Sequence, residues 1–266
     1  MRVQINPLSI LFVLLGIGFS IAALDFTLQA FLATNIFDAP NLLTKFFNMD
    51  YERNFPTLYS ALLLLSAALL VFIITLQEFR ENKMLAIYWL ALAMLFSFMF
   101  MDELLEIHEQ VNGLIREQTG IGQIASSGNR WDVLSLAIAF VCGIAFLPFL
   151  IRLPKPVAFS FITGGCLFVI GAIGIEFASA YFDLSVYYQR DFQSHLVTIA
   201  EELLEIFGVT IFIYGCLAYL GQRHADIHIH IDHASSNETS SVQPNLRVLP
   251  ASGSKVQATN HKIQAA

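Results

Sequence analysis

Charge is scarce in this chain. Only 13% of its 266 residues are Asp, Glu, Lys or Arg, against about a quarter in water-soluble domains. A hydrated surface cannot be built at that density, so most of the surface must face lipid. Cysteine is also rare: Cys142, Cys166 and Cys216 lie singly in apolar runs, with no CxxC or other paired spacing. That excludes a disulfide framework or zinc ribbon and leaves them as small packing residues. No basic patch with interleaved aromatics exists, which removes nucleic acid from the expected partners. GxSxG, a P-loop and a dinucleotide fingerprint are missing too; GIGFS and GGCLFVIGAIG lie within apolar runs and read as helix-packing glycines.

What remains is 56% hydrophobic, with 24 phenylalanines, and falls into long apolar runs. Spans are expected at about 8–24, 58–76, 84–101, 131–151, 157–182 and 195–220, each near the roughly 20 residues a helix needs to cross hydrocarbon. The first run is long for a signal peptide and lacks a clear small-x-small cleavage site. Between the first two spans the chain mixes polar, aromatic and proline residues, as expected of an extramembrane loop with a short surface helix. The third helical pattern continues past the bilayer to about Gln118. From 221 to 266 the composition turns to Ser, Asn, Gln, Thr and His, which reads as a disordered tail beyond a 1–220 membrane domain.

The expected fold is therefore all-α, a six-helix transmembrane bundle. Arg2, Arg80, Lys83, Arg152, Lys155 and Arg223 fall on one side of six alternating helices. The positive-inside rule makes that side cytoplasmic and places both termini there. A bacterial cytoplasmic membrane is the expected location.

Acids gather at the opposite level. At 1.5 Å rise per residue, Asp102 is about 28 Å from Lys83, and Glu176 about 31 Å from Lys155. Glu202 and Glu205 are about 31 and 27 Å from Arg223, and Asp25 closes the first span at a similar depth. Helical spacing puts Asp102, Glu106 and Glu109 on one stripe, with Glu103 beside it and His108 pointing away. Thr198, Glu201, Glu202 and Glu205 share an arc of the sixth span, with His195 at its margin. Glu176 lines up with the small residues Gly165, Ala172 and Ser179, a stripe that invites close helix approach.

Carboxylates packed at one depth repel, so they must hold protons, pair with Arg116 or His, or bind a cation. Asp102, Glu106, Glu109, Glu176, Glu202 and Glu205 form the expected proton or metal cluster. Glu103, His108, His195 and Glu201 are further candidates for ligands or their supports. Oxygen donors with one or two imidazoles suit a divalent metal such as Zn, Mn or Fe. The spacing is not diagnostic: Glu-x-x-His is absent, and Asn112 stands where HExxH would need its second His. The alternative at Glu103, Glu106 and Glu109 is the solvated face of a helix leaving the membrane. In the tail, His228, His230 and His233 alternate with Ile and Asp, so an extended strand could chelate a metal.

The stretches DYERNFPTLYSALLLLSAALL, MDELLEIHE and EELLEIFGVTIFIYGCLAY resemble a family of bacterial multipass membrane proteins with an acid-rich third span and an EExxE sixth. The resemblance implies six-helix topology and carries no activity with it. Three functions stay open. The first is a cation-linked protein using the cluster for transport or sensing. The second is a membrane-embedded metal-dependent enzyme for a lipid-like or quinone-like substrate, which needs an apolar groove opening beside the cluster. The third is a scaffold whose carboxylates only pair internally. Lipid is the surrounding partner in each; the oligomeric state is not encoded.

Overall fold

The computed structural model describes residues 6–34, 36, 41–107, 110–111, 130–175 and 192–223. Every regular element among them is helical. The elements are α1 (Pro7–Ala33), α2 (Leu42–Phe46), α3 (Phe55–Glu81), α4 (Lys83–Leu105), α5 (Arg130–Arg152), α6 (Lys155–Val169, continuing as a π-helical segment Ile170–Ile175) and α7 (Phe192–Arg223).

Asparagine starts four of these helices. Asn6, Asn41, Asn54 and Asn82 each accept a first-turn backbone N–H through the side chain, which satisfies a donor that the helix leaves over. Asn82 both ends α3 and caps α4, so a single residue reverses the chain between two long helices. Hydroxyls inside the apolar helices bond back to the preceding turn, as Thr27 to Ala23, Thr75 to Val71 and Ser97 to Ala93. Polar groups facing lipid or core are thereby satisfied without water.

Five helices are long and apolar enough to cross a membrane: α1, α3, α4, α6 with its π segment, and α7. The chain is an integral membrane protein. The described apolar part of α5, Leu136–Arg152, is shorter. Of the most apolar 18-residue windows, 56% is buried in α7 against 17% in α1, so α7 is the central helix and α1 lies at the lipid boundary. α3 and α4 pack as a hairpin, α6 lies along α7, and α1 and α3 also contact α7.

Glycine sets the tightest contact. A Cβ on Gly164 would lie 2.6 Å from the Gly208 carbonyl oxygen, and one on Gly208 would lie 2.6 Å from that of Gly164. α6 and α7 therefore touch backbone to backbone. Gly171 continues this contact, while Gly165 has nothing within 4 Å. The close-approach stripe is Gly164–Gly171, one residue out of phase with the expected Gly165 stripe. At the end away from α7's N-terminus, an aromatic cluster fills the core. Trp89 meets Phe149, Phe161 and Tyr219, and Phe212 stacks between Phe96 and Phe161. Of the cysteines, Cys216 is buried, Cys142 half-buried and Cys166 exposed.

Several boundaries differ from expectation. α1 runs to Ala33 and carries Asp25, Thr27 and Gln29 as helical residues, because the Asp25 carboxylate finds partners inside the bundle. α3 begins at Phe55 and reaches Glu81. α7 starts at Phe192 and reaches Arg223, beyond the expected membrane-domain limit at 220. α4 ends at Leu105, where Glu106 turns left-handed, and helical residues follow at 107, 110 and 111; the rest of the expected run to about Gln118 lies outside the described residues. The expected fifth-span residues 176–182 and the tail from 224 lie outside the described residues.

Candidate functional site

The end of the bundle holding the C-terminus of α4 and the N-terminus of α7 is where the acids meet. Asp102 and Glu103 come from the last turn of α4, and Glu201, Glu202 and Glu205 from the second and third turns of the described part of α7 beyond His195. All five are half-buried. Glu103, Glu201, Glu52 and Asp50 lie near enough to Glu202 for their charges to act on it, and Glu202, Glu103, Glu201 and Asp102 near enough to Glu205. Residues about a hundred positions apart are thus electrostatic neighbours.

A glycine on the third side of the cluster makes room for it. A Cβ at Gly171 would lie 2.8 Å from the Glu201 carbonyl oxygen, 3.0 Å from Glu205 Cγ and 3.1 Å from Leu204 Cβ. This glycine belongs to the π-helical segment Ile170–Ile175. Such segments are rare and occur often beside functional sites, where the widened turn re-aims the backbone.

Beside the cluster, Asp25 is fully buried and carries three partners. His195 Nε2 lies 2.7 Å from Asp25 Oδ2, the Met49 backbone N–H donates to the same oxygen at 3.2 Å, and Gln29 Nε2 donates to Oδ1 at 3.3 Å. One carboxylate therefore joins α1, α7 and the loop leading into α3. That loop is folded on itself. The Asn48 side chain accepts from Asp50 N at 2.7 Å, the Asn48 carbonyl accepts from Asn54 Nδ2, and Asn54 caps α3. Its tip presents Asp50, Tyr51, Glu52 and Arg53 to the exterior.

Arg53 reaches one of the candidate acids from the loop before α3. Its Nε lies 2.6 Å from Glu106 Oε1. Glu106 is at φ 53° and ends α4, its N–H bonded to the Asp102 carbonyl at 2.8 Å. A left-handed residue does not keep the 100° step, so Asp102 and Glu106 do not share a helical stripe. Glu106 turns instead to the loop. Glu109, His108, Arg116 and Glu176 lie outside the described residues, as do His228, His230 and His233.

A second buried acid went unrecognised in the sequence. Glu78, near the C-terminus of α3, is 2% exposed and accepts the Tyr219 hydroxyl at 2.6 Å. Close in sequence to the cations Arg80 and Lys83, it nevertheless belongs to the core. The signal was present: Ala67, Val71, Ile74 and Glu78 fall at successive i+4, i+3 and i+4 steps, one helical face. Among the described residues, two further buried polar atoms, Trp89 Nε1 and Thr210 Oγ1, have no hydrogen-bond partner.

Among the described residues no group of three or more His, Cys, Asp or Glu is arranged to hold a metal ion. The clustered carboxylates form a shared field, with a histidine–aspartate pair at its side and one arginine at its rim. No curated protein and no solved structure matches this chain. A family model, the DUF8692 domain of unknown function, matches residues 8–220, essentially the whole helical bundle and all of the acids described above, and the chain belongs to that family.

Proposed function

We propose that this chain is a cation-linked membrane protein whose clustered carboxylates, facing the extracytoplasmic side, bind protons or a divalent metal for transport or sensing. The observation that carries this reading is the convergence of Asp102, Glu103, Glu201, Glu202 and Glu205 from α4 and α7 into one field. Charge of one sign held between helices needs compensation, from cationic side chains, protons or a bound cation. His195, oriented by Asp25, stands at the edge of the field and suits a proton carrier. The orientation follows from the cations at 80, 83, 152 and 155, which place the opposite end in the cytoplasm.

The test is a proton count. Unbuffered, detergent-solubilised protein is titrated beside Glu202→Gln and Glu205→Gln, with metal content measured on the same samples. Loss of titratable protons in both variants, with no stoichiometric metal, supports the proton form. Stoichiometric metal lost in both variants supports the metal form. Titration curves that differ only as expected for an exposed glutamate would end the reading.

A second reading is favoured by one feature. An apolar groove of about 510 Å³ opens on the lipid side of α1, lined by Phe12, Gly16, Ser20, Leu24, Phe47 and Phe55 among others, and its lining reaches the neighbour of Asp25. A lateral groove near polar groups is what an enzyme acting on lipid-like or quinone-like substrates would need. Tightly retained lipid or quinone in purified protein, lost on Gly16→Phe, would favour it.

A further inference from the structure

The described residues contain two non-glycine positions with left-handed backbone, Arg53 at φ 57° and Glu106 at φ 53°. These two form an ion pair with each other. Neither side chain gains from a left-handed backbone, which L-residues adopt at a cost. The two left-handed residues of the described chain thus meet in one contact.

The placement of the pair gives it a role. Arg53 sits on the tip of the loop 48–54, whose neck is closed by the Asn48–Asn54 contact and tied to Asp25 through Met49. Asp50 and Glu52, on the same tip, are close enough for their charge to act on Glu202. Glu106 ends α4 one turn beyond Asp102. The loop tip therefore lies near the cluster and is joined through this pair to the end of α4. The fastening is suited to release, since the Arg53 side chain is 73% exposed and water and salt compete for it.

We propose that loop 48–54 is a lid on the carboxylate cluster and that the Arg53–Glu106 pair is its latch. When the pair parts, both residues return to ordinary backbone conformations. Position 106 then takes up ordinary helical backbone, and Glu106 swings onto the Asp102 face of α4, four residues on. Glu106 thus has two positions, one bound to the lid and one joined to the cluster. This mechanism rests on the cluster being the functional site but not on which cation occupies it.

Amide hydrogen exchange of the full chain in detergent, at fixed pH and low salt, tests the latch. In Arg53→Ala and in Glu106→Gln, exchange across 48–54 should speed up by about fivefold, the scale of one exposed ion pair. Arg53→Lys should stay near wild type. The exchanged pair, Arg53→Glu with Glu106→Arg, should restore protection that either single reversal removes. Labelling by a water-soluble carbodiimide should rise at Glu103 and Glu202 in the latch-broken variants. Unchanged exchange in Arg53→Ala, a reversed pair no better than its single parents, or a mobile loop with unchanged labelling of Glu103 and Glu202 would each overturn the proposal. A proton or metal count that fails while these results hold strikes the cation reading alone.

Discussion

Asp25 concentrates the physics of this bundle in one side chain. A carboxylate with no exposure survives only if its oxygens are fully engaged, and here His195, Met49 N–H and Gln29 do that. Asp25→Ala leaves a backbone donor and an imidazole without their acceptor. It should cost about 2–4 kcal/mol, which lowers the unfolding midpoint in detergent by about 5–10 °C. Asp25→Asn keeps the acceptor for Met49 and should lose less. A double-mutant cycle with His195→Gln should give a coupling above about 1 kcal/mol. Additive losses would mean that the two groups merely sit near one another. At the other end, Tyr219→Phe deletes the hydroxyl that Glu78 accepts and should cost about 1–3 kcal/mol by the same assay. The depth of Asp25 could be read from sequence, and so could its level with the other acids. Its partner could not, because His195 is 170 residues away and only the packing of α1 against α7 brings them together.

Helices were legible by their apolar runs, and less so by their ends. Proline at 56, just inside α3, and the polar reversal around Asn82 mark boundaries that chemistry enforces. The left-handed turn at Glu106 was not legible, since nothing in the composition of MDELLEIHE distinguishes a helix that continues from one that breaks there. Its partner, Arg53, lies on another element. The α6–α7 contact gives an element-scale test. Gly208→Ala places a methyl group against backbone atoms of α6, which cannot rotate away, and should destabilise by about 1–3 kcal/mol. Gly165→Ala meets open space and should be neutral or stabilising by up to about 1 kcal/mol. Equal unfolding midpoints for the two alanine variants would contradict the observed stripe. The helical wheel placed Gly165 with Glu176 because it assumed an unbroken 3.6-residue repeat. The π segment after Val169 breaks that repeat.

At the scale of the whole molecule, apolar length decides the class, and charge asymmetry predicts the orientation. With α3 spanning the membrane between them, positions 52 and 82 must lie on opposite faces. In cells bearing the protein without native cysteines, an impermeant thiol reagent should label Glu52→Cys directly and Asn82→Cys only after permeabilisation. The reverse pattern would invert the bundle and put the carboxylates inside. Sequence alone gives an expected level and expected faces for the acids. It does not give the Arg53–Glu106 contact, which depends on a loop far from α4 in the chain. Convergence itself is the claim on which function, lid and proton count all stand. It is tested most directly by cross-linking: Glu103→Cys with Glu202→Cys, in a background lacking Cys142, Cys166 and Cys216, treated in membranes with a short bismaleimide. Efficient intramolecular cross-linking is expected, with none between Glu81→Cys and Glu202→Cys at opposite ends of the bundle. Failure of the 103–202 pair to cross-link, in protein whose two thiols each react singly, would contradict the account.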